Sequence, residues 1–258
     1  MASSTTTNKI INKNKNNIQS TNANAPVFVS KETMRRIISD IKDIRKNPLS
    51  DHGIYYEHDE TDMLCGKAMI IGPKDTPYAD GFYLFKLKFP TNYPHTPPKV
   101  EFCTSDGVTR FNPNLYRCGK VCLSILNTWQ GDQWSGCQTL SSVLLAICTV
   151  LNNEPLLNEP GFTRSSSDFN NYNEIIKYKN IEAAILGMLD NVKNDPAHEF
   201  ALFGDIMHDH FQKNKEYIRQ RVEKEIADKN EEGCIYSTSI YHLSVIVDYK
   251  KLLILLKD

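Results

Sequence analysis

Apolar positions recur at helical spacing early in the chain, with Met34, Ile37, Ile38, Ile41 and Ile44 on one predicted face. Ser30 is a fit N-cap and Glu32 suits the electropositive first turn. Pro48 ends the element. From Ile54 to Phe102 the texture changes to short β-type runs: Lys67–Ile71 before Gly72-Pro73, Gly81–Phe89 before Pro90, and Lys99–Phe102. Tyr93-Pro94 and Pro97-Pro98 impose extended backbone between runs, and the short connections predict an antiparallel meander. Leu140, Val143, Leu144, Ile147, Cys148 and Leu151 then trace one face of a second helix from Thr139, stopped by Asn152-Asn153-Glu154-Pro155. A third helix is predicted over 173–192, with Ile181, Ile185, Met188 and Leu189 as its stripe. Asp195-Pro196 has the form of an N-cap followed by proline at the first helical position, and further helices are predicted over about 197–229 and 242–257. The pattern is that of an α/β (α+β) chain without internal repeats.

Residues before about Asn24 are Ser, Thr, Asn and Lys with little apolar content, so they cannot bury enough surface to offset the entropy of ordering. The expected organisation is a disordered polar tail over 1–26, a core domain over 27–193 and a helical extension over 194–258. A hydrophobic content of 40% suffices for a packed core. The formal net charge of -1 gives no push toward nucleic acid or acidic membranes, and neither is expected as a partner. No apolar run approaches the roughly 20 residues of a membrane span. Seven cysteines without a secretory signal read as reduced thiols in the cytoplasm or nucleus.

The chemistry concentrates in the run from Asn112 to Leu126, where an Asn-Pro-Asn turn precedes Cys122. Gly72-Pro-Lys-Asp-Thr-Pro-Tyr78, Gly81–Pro90, Tyr93–Phe102, Asn112-Pro113-Asn114, Gly119-Lys-Val-Cys122-Leu123 and Trp134-Ser135 occur in the order and spacing of ubiquitin-conjugating enzymes. Residues 30–192 resemble that family. Tyr116–Leu126, Trp129, Asn158–Phe162 and Tyr172–Ile176 are similar to its larger Z-type subgroup. The resemblance implies a ubiquitin-conjugating fold: an N-terminal helix, a four-stranded antiparallel sheet, an active-site loop and C-terminal helices, here with a helical extension.

The implied activity is acyl transfer. Cys122 would accept ubiquitin or a ubiquitin-like modifier from an activating enzyme as a thioester, then pass it to a substrate lysine or a ligase. No cofactor or metal is required, and ATP is consumed by the activating enzyme. A thiolate is the nucleophile, and free cysteine titrates near about 8.5. Exchange of one thioester for another has little driving force, which suits a carrier. Attack by lysine needs a deprotonated amine, a stabilised oxyanion and exclusion of water. Asn114, held by Pro113, can donate to the oxyanion, and the family also assigns this residue to holding the loop; both roles stay open. Glu159 takes the family's acidic gate position if one extra residue is allowed at Leu156-Leu157; without it, Asn158 does. Arg35 and Arg36 lie off the apolar stripe, either as a solvated face or as the docking surface for the activating enzyme. His95, Ser135 and Gly136 fall on the ligase-facing loops.

Other readings compete. Cys65, Cys103, Cys137, Cys148 and Cys234 are expected as small buried hydrophobes. Cys118 makes C-x-x-x-C with Cys122, but no second pair at zinc spacing follows. A protease-type Cys–His pair lacks its signature, since His208-Asp-His210 lies in the extension. Three departures from the family stand out: Asn112 where His is usual, His95 where an aromatic is common, and Gly136-Cys137 in place of Pro-Ala. The last two make the ligase-facing surface atypical, and Asn112 keeps alive a catalytically silent binding module or scaffold of the same fold.

Overall fold

The structure is a computed structural model that describes residues 28–229 and 233–256; the predicted polar tail lies outside the described residues. Helix α1 spans Lys31–Lys46, and Ser30 Oγ accepts from the Thr33 amide at 3.0 Å as its N-cap. Its inner face is Thr33, Ile37, Asp40 and Ile44, whereas Ile38 is 40% exposed. The apolar stripe is therefore narrower than the sequence implied, because buried Asp40 occupies part of it. Asp40 is compensated on every side: by Arg36 Nε at 3.0 Å, by the Tyr93 hydroxyl and by the Leu140 amide. One carboxylate thus joins α1 to the loop before β4 and to the start of α2.

Strands β1 (Ile54–His58), β2 (Cys65–Ile71), β3 (Phe82–Lys88) and β4 (Lys99–Phe102) form one sheet in the order β1-β2-β3-β4, all antiparallel. Met69 faces Leu84 and Leu87 faces Val100 in the register. β2 and β3 read as near-continuous apolar runs because Ala68–Ile71 and Phe82–Phe85 are buried on both faces. Helix α2 (Leu140–Val150) starts at a Thr139–Ser142 capping box and buries Leu140, Val143, Leu144 and Ile147. The third helical run begins at Phe169, four residues earlier than predicted. It comprises α3 (Phe169–Lys179), a π-helical stretch (Asn180–Gly187) and α4 (Met188–Asn194). Fully buried Asn180 opens the π stretch, accepting from Tyr83 and donating to the Ala79 carbonyl.

The region after residue 194 departs from its helical reading. Asp195 closes α4 and turns the chain, its carboxylate accepting from the Ala197 amide, so Pro196 begins a turn and not a helix. Residues 198–200 then lie on the sheet: Lys67 donates to the Glu199 carbonyl at 2.7 Å, Lys86 pairs with its carboxylate at 2.8 Å, and Phe200 is buried. Helix α5 runs only from Gly204 to Lys229. Buried Asp80 binds its His210 and Arg221, each at 3.0 Å. His210 Nε2 is thereby engaged by the Asp80 carboxylate. Of the stretch 242–257 predicted to be helical, Leu243–Val247 instead form β6, paired in a hairpin with β5 (Cys234–Thr238), and among the described residues the helix is the short α6 (Tyr249–Leu255). Leu243, Val245 and Val247 are buried while Ser244 and Ile246 are exposed, a strand period that a short apolar run does not distinguish from a helix. Phe200, Phe203, Met207, Ile218, Val222, Val245 and Leu252 belong to the same hydrophobic cluster as the sheet and α2.

Candidate active site

The Asn-Pro-Asn turn and Cys122 lie on a loop returned to the edge of the sheet. Single bridges pair Asn112 with Leu115, Leu115 with Val121, and Lys120 with Glu101 of β4. Gly119, at φ +85°, makes the tight return between Tyr116 and Lys120. The Cys122 amide donates to the Asn114 carbonyl at 2.9 Å, and Asn114 Nδ2 donates to the Cys122 carbonyl at 2.7 Å. The Asn114 side chain therefore holds the loop at the cysteine itself. Among the described residues Asn114 Oδ1 has no hydrogen-bond partner, although the residue is 9% exposed.

Asn112 answers what the departure from His does to the turn. It is fully buried, and its Nδ2 donates to the Tyr78 hydroxyl and to the Val150 carbonyl, both at 2.7 Å. Its Oδ1 accepts from the Asn114 amide at 2.9 Å and from Asn158 Nδ2 at 3.3 Å. Asn158 also donates to the Val150 carbonyl and accepts from Asn152. An amide side chain with both ends engaged is a complete tie between the turn, the end of α2 and the following loop. Tyr78, Asn152 and Asn158 were not foreseen in this role; the Asn-rich stretch after α2 was the available signal.

Cys122 is only 1% exposed. Any electrophile reaching its sulfur must displace what covers it, a condition that a motif does not reveal. The cysteines expected to be buried are not: Cys137 is exposed, and Cys65, Cys103, Cys148 and Cys234 are half-buried, while Cys118 is also exposed. Burial raises the Cys103 thiol to about 11 and pushes Cys65 and Cys148 above the usual thiol range. Those three are poor nucleophiles at neutral pH. Among the described residues no group of three His, Cys, Asp or Glu side chains is placed to hold a metal ion.

Glu159 sits just after the 3-10 turn Pro155–Asn158, half-exposed, with its Oε2 accepting from the Tyr241 hydroxyl. Asn158, the alternative in the alignment, is consumed by the amide network. Tyr241 belongs to the tip of the C-terminal hairpin, which the core grips through Asp168. Asp168 precedes α3 but does not cap it; its buried carboxylate accepts from the Ser239 amide, the Ser239 hydroxyl at 2.7 Å and the Ile240 amide at 2.9 Å. Burial alone would raise this carboxyl, but the donors from Ile240 and Ser239 outweigh it and hold it below the usual range. A carboxyl depressed in the fold contributes stability that is present above its unfolded value near about 3.9 and lost as pH falls through the lower folded value. Asp168→Ala should therefore cost about 1–3 kcal/mol at neutral pH. The gap from the parent protein should close below that window, as read by urea unfolding at a series of pH values.

The proposed docking residues separate. Arg35, His95, Ser135 and Gly136 are exposed, and His95 lies 3.5 Å from Glu32 of α1. Trp134 Nε1 donates to the Pro94 carbonyl at 2.6 Å, so the two loops and α1 share one face. Arg36 is not a free member of it. Beyond Asp40, its guanidinium donates to the carbonyls of Gly136 at 2.7 Å and of Gln138, and lies over the Tyr93 ring. The length of Arg36 reaches a buried carboxylate and two carbonyls, so it pins α1 to the loop.

An N-terminal helix, a four-stranded meander, a tied Asn-Pro-Asn turn and a following cysteine define the conjugating fold, and the chain belongs to the ubiquitin-conjugating enzyme family. The family model described as Ubiquitin-conjugating enzyme matches residues 36–183. Among individual proteins it is similar to ubiquitin-conjugating enzyme E2 Z of Xenopus tropicalis, at 47% identity over 164 residues, covering 62% of this chain and 52% of that protein. The Homo sapiens E2 Z is 45% identical over 162 residues, covering 62% and 45%. The dual E2 ubiquitin-conjugating enzyme/E3 ubiquitin-protein ligase BIRC6 of Homo sapiens is 39% identical over 189 residues, covering 69% of this chain and 4% of that protein. The chain spans about half the length of the E2 Z proteins it matches. No helix of the described residues is long and apolar enough to cross a membrane.

Proposed function

We propose that this protein carries ubiquitin or a ubiquitin-like modifier as a thioester on Cys122 and transfers it to a lysine or to a ligase. The observation that carries the reading is the closed pair of bonds between Cys122 and Asn114, set on a turn whose Asn112 is tied at both ends. In charging, Cys122 Sγ bonds the carbonyl carbon of the modifier's C-terminus and the activating enzyme's thiolate leaves. In discharge the lysine Nζ bonds that carbon, the C–S bond breaks with its electron pair on Sγ, and the amine gives up a proton. Asn114 has a second N–H and an unpaired Oδ1 to offer the tetrahedral oxyanion and the incoming amine. Glu159 orients the amine and takes part in the loss of its proton. Residues 27–193 form the conjugating core and 194–258 the extension. The setting is the reducing cytoplasm or nucleus, with activating enzyme, ligase and protein substrates as partners.

Incubation with activating enzyme, ATP and ubiquitin should give an adduct that thiol reductant removes. Its absence with every modifier and cognate activating enzyme would favour the silent module. Docking is tested at Arg35. Arg35→Glu should slow charging at low salt while leaving the melting temperature near that of the parent, since exposed substitutions cost within about 0.5 kcal/mol. Arg36→Glu instead sets a second carboxylate beside buried Asp40 and should destabilise by about 3–5 kcal/mol, measured by urea unfolding. Normal charging of Arg35→Glu would assign that residue to the solvated face.

A further inference from the structure

We propose that Tyr241, at the tip of the C-terminal hairpin, is the positioning residue for the Glu159 carboxylate, so that the extension forms part of the acceptor side of the active site. The inference rests on the reading of Glu159 given above.

Tyr241 is fixed from several directions. Its hydroxyl donates to Glu159 Oε2. Its ring packs against the Arg110 guanidinium at 4.2 Å and edge-on to Tyr172 at 5.9 Å. Its carbonyl accepts from Arg117 Nη2. Arg117 belongs to the active-site loop, and Arg110 lies just before its Asn-Pro-Asn turn. Arg110 also stacks on Tyr116 at 3.6 Å and donates to the Pro113 carbonyl, at the centre of the Asn-Pro-Asn turn, at 2.5 Å. Tyr172 in turn donates to the Arg110 carbonyl at 2.7 Å. One side chain of the extension is thus coupled to the turn that holds Cys122 and to the carboxylate that would meet the amine.

The backbone there is held in a conformation that side chains disfavour. Tyr241 has φ 59° and His242 φ 50°, two successive left-handed residues, neither of them glycine. Such residues persist where the surroundings over-determine them and concentrate at functional sites. Here the determinants lie on the chain that enters the tip: Asp168 grips Ser239 and Ile240, and Asn171 Nδ2 donates to the Ser237 carbonyl at 2.8 Å. Burial first, and the Glu159 carboxylate second, push the Tyr241 phenol well above its ordinary value. Tyr241 therefore remains a donor across the pH range in which a lysine amine is activated. A half-exposed glutamate that accepts this bond loses rotamer freedom, which is the gain that positioning confers on an attack geometry.

The test uses the full chain, loaded with modifier and isolated, with single-turnover discharge measured per loaded enzyme. Tyr241→Phe removes the hydroxyl and keeps the ring on Arg110 and Tyr172. Discharge to free lysine should fall about tenfold, and Glu159→Gln should fall at least as far. The double variant should be no slower than Glu159→Gln, because the two residues act as one unit. Discharge to hydroxylamine, which is neutral near pH 7 and needs no carboxylate to shed a proton before attack, should be nearly unchanged in all three. If Glu159→Gln slows lysine attack and Tyr241→Phe does not, or if the two effects multiply, the positioning role is overturned while the Glu159 reading stands. Equal slowing of lysine and hydroxylamine by Tyr241→Phe would reduce the residue to a general support of the loop. Faster lysine discharge would make it a restraint. If Glu159→Gln leaves lysine attack unchanged, the Glu159 reading fails and takes this proposal with it.

Discussion

Cys122→Ser should accept the modifier slowly and hold it as an oxyester that survives thiol reductant and yields to hydroxylamine, while Cys122→Ala accepts nothing. The serine hydroxyl is a far weaker nucleophile at neutral pH than a thiolate, and the ester it forms has a poorer leaving group, so loading and unloading both slow. Cys118→Ser should load and unload as the parent does, because Cys118 is exposed on the loop but makes none of the bonds that join Cys122 to Asn114. Charging of Cys122→Ala at the parent rate would move the nucleophile elsewhere. Cys118, Cys137 and Cys234 would be the residues to examine first, since burial raises Cys65, Cys103 and Cys148 above the usual thiol range.

Asn114→Ala should retain most of its charging and lose about a hundred- to a thousandfold in discharge to lysine, the usual cost of removing one oxyanion donor. Thioester exchange and aminolysis both pass through a tetrahedral carbon, but in charging the activating enzyme can supply donors of its own, whereas discharge to free lysine depends on those of this chain, so the loss falls there. The same substitution removes the donor to the Cys122 carbonyl and should lower stability by about 1 kcal/mol. Stability is measured by urea unfolding and discharge by single-turnover kinetics, so the two effects are separable. Discharge at the parent rate, accompanied by the stability loss, would leave Asn114 as a tie for the loop alone.

Much of this arrangement was legible in the chain. The apolar period of α1 and α2, the caps at Ser30 and Thr139, and the runs of β2, β3 and β4 correspond to elements whose local preference and tertiary setting agree. The Asn-Pro-Asn turn before Cys122 carried the family. What could not be read depends on long-range contact. Arg36 looked like a surface charge because its partners, the Gly136 and Gln138 carbonyls, are about a hundred residues away. Ile38 fits the helical period, yet buried Asp40 holds the inner face. The hairpin of β5 and β6 was hidden in a segment whose short apolar run suits either period, and its strand form is fixed by packing on α3 and by the grip of Asp168. Tyr241 and Glu159 are 82 residues apart, and nothing local to either points to the other. Asn112 was read as a departure that left the loop geometry open; its four-way tie becomes visible only when Tyr78, Val150 and Asn158 are brought beside it.

The measurement that bears most directly on the account is peptide mapping of the wild-type adduct formed with activating enzyme, ATP and ubiquitin, isolated without reductant. The modifier's C-terminal carbonyl should be found on the peptide that contains Cys122, in a linkage that thiol removes. A linkage confined to Cys118, to another cysteine, or to a lysine as a reductant-stable isopeptide would contradict it.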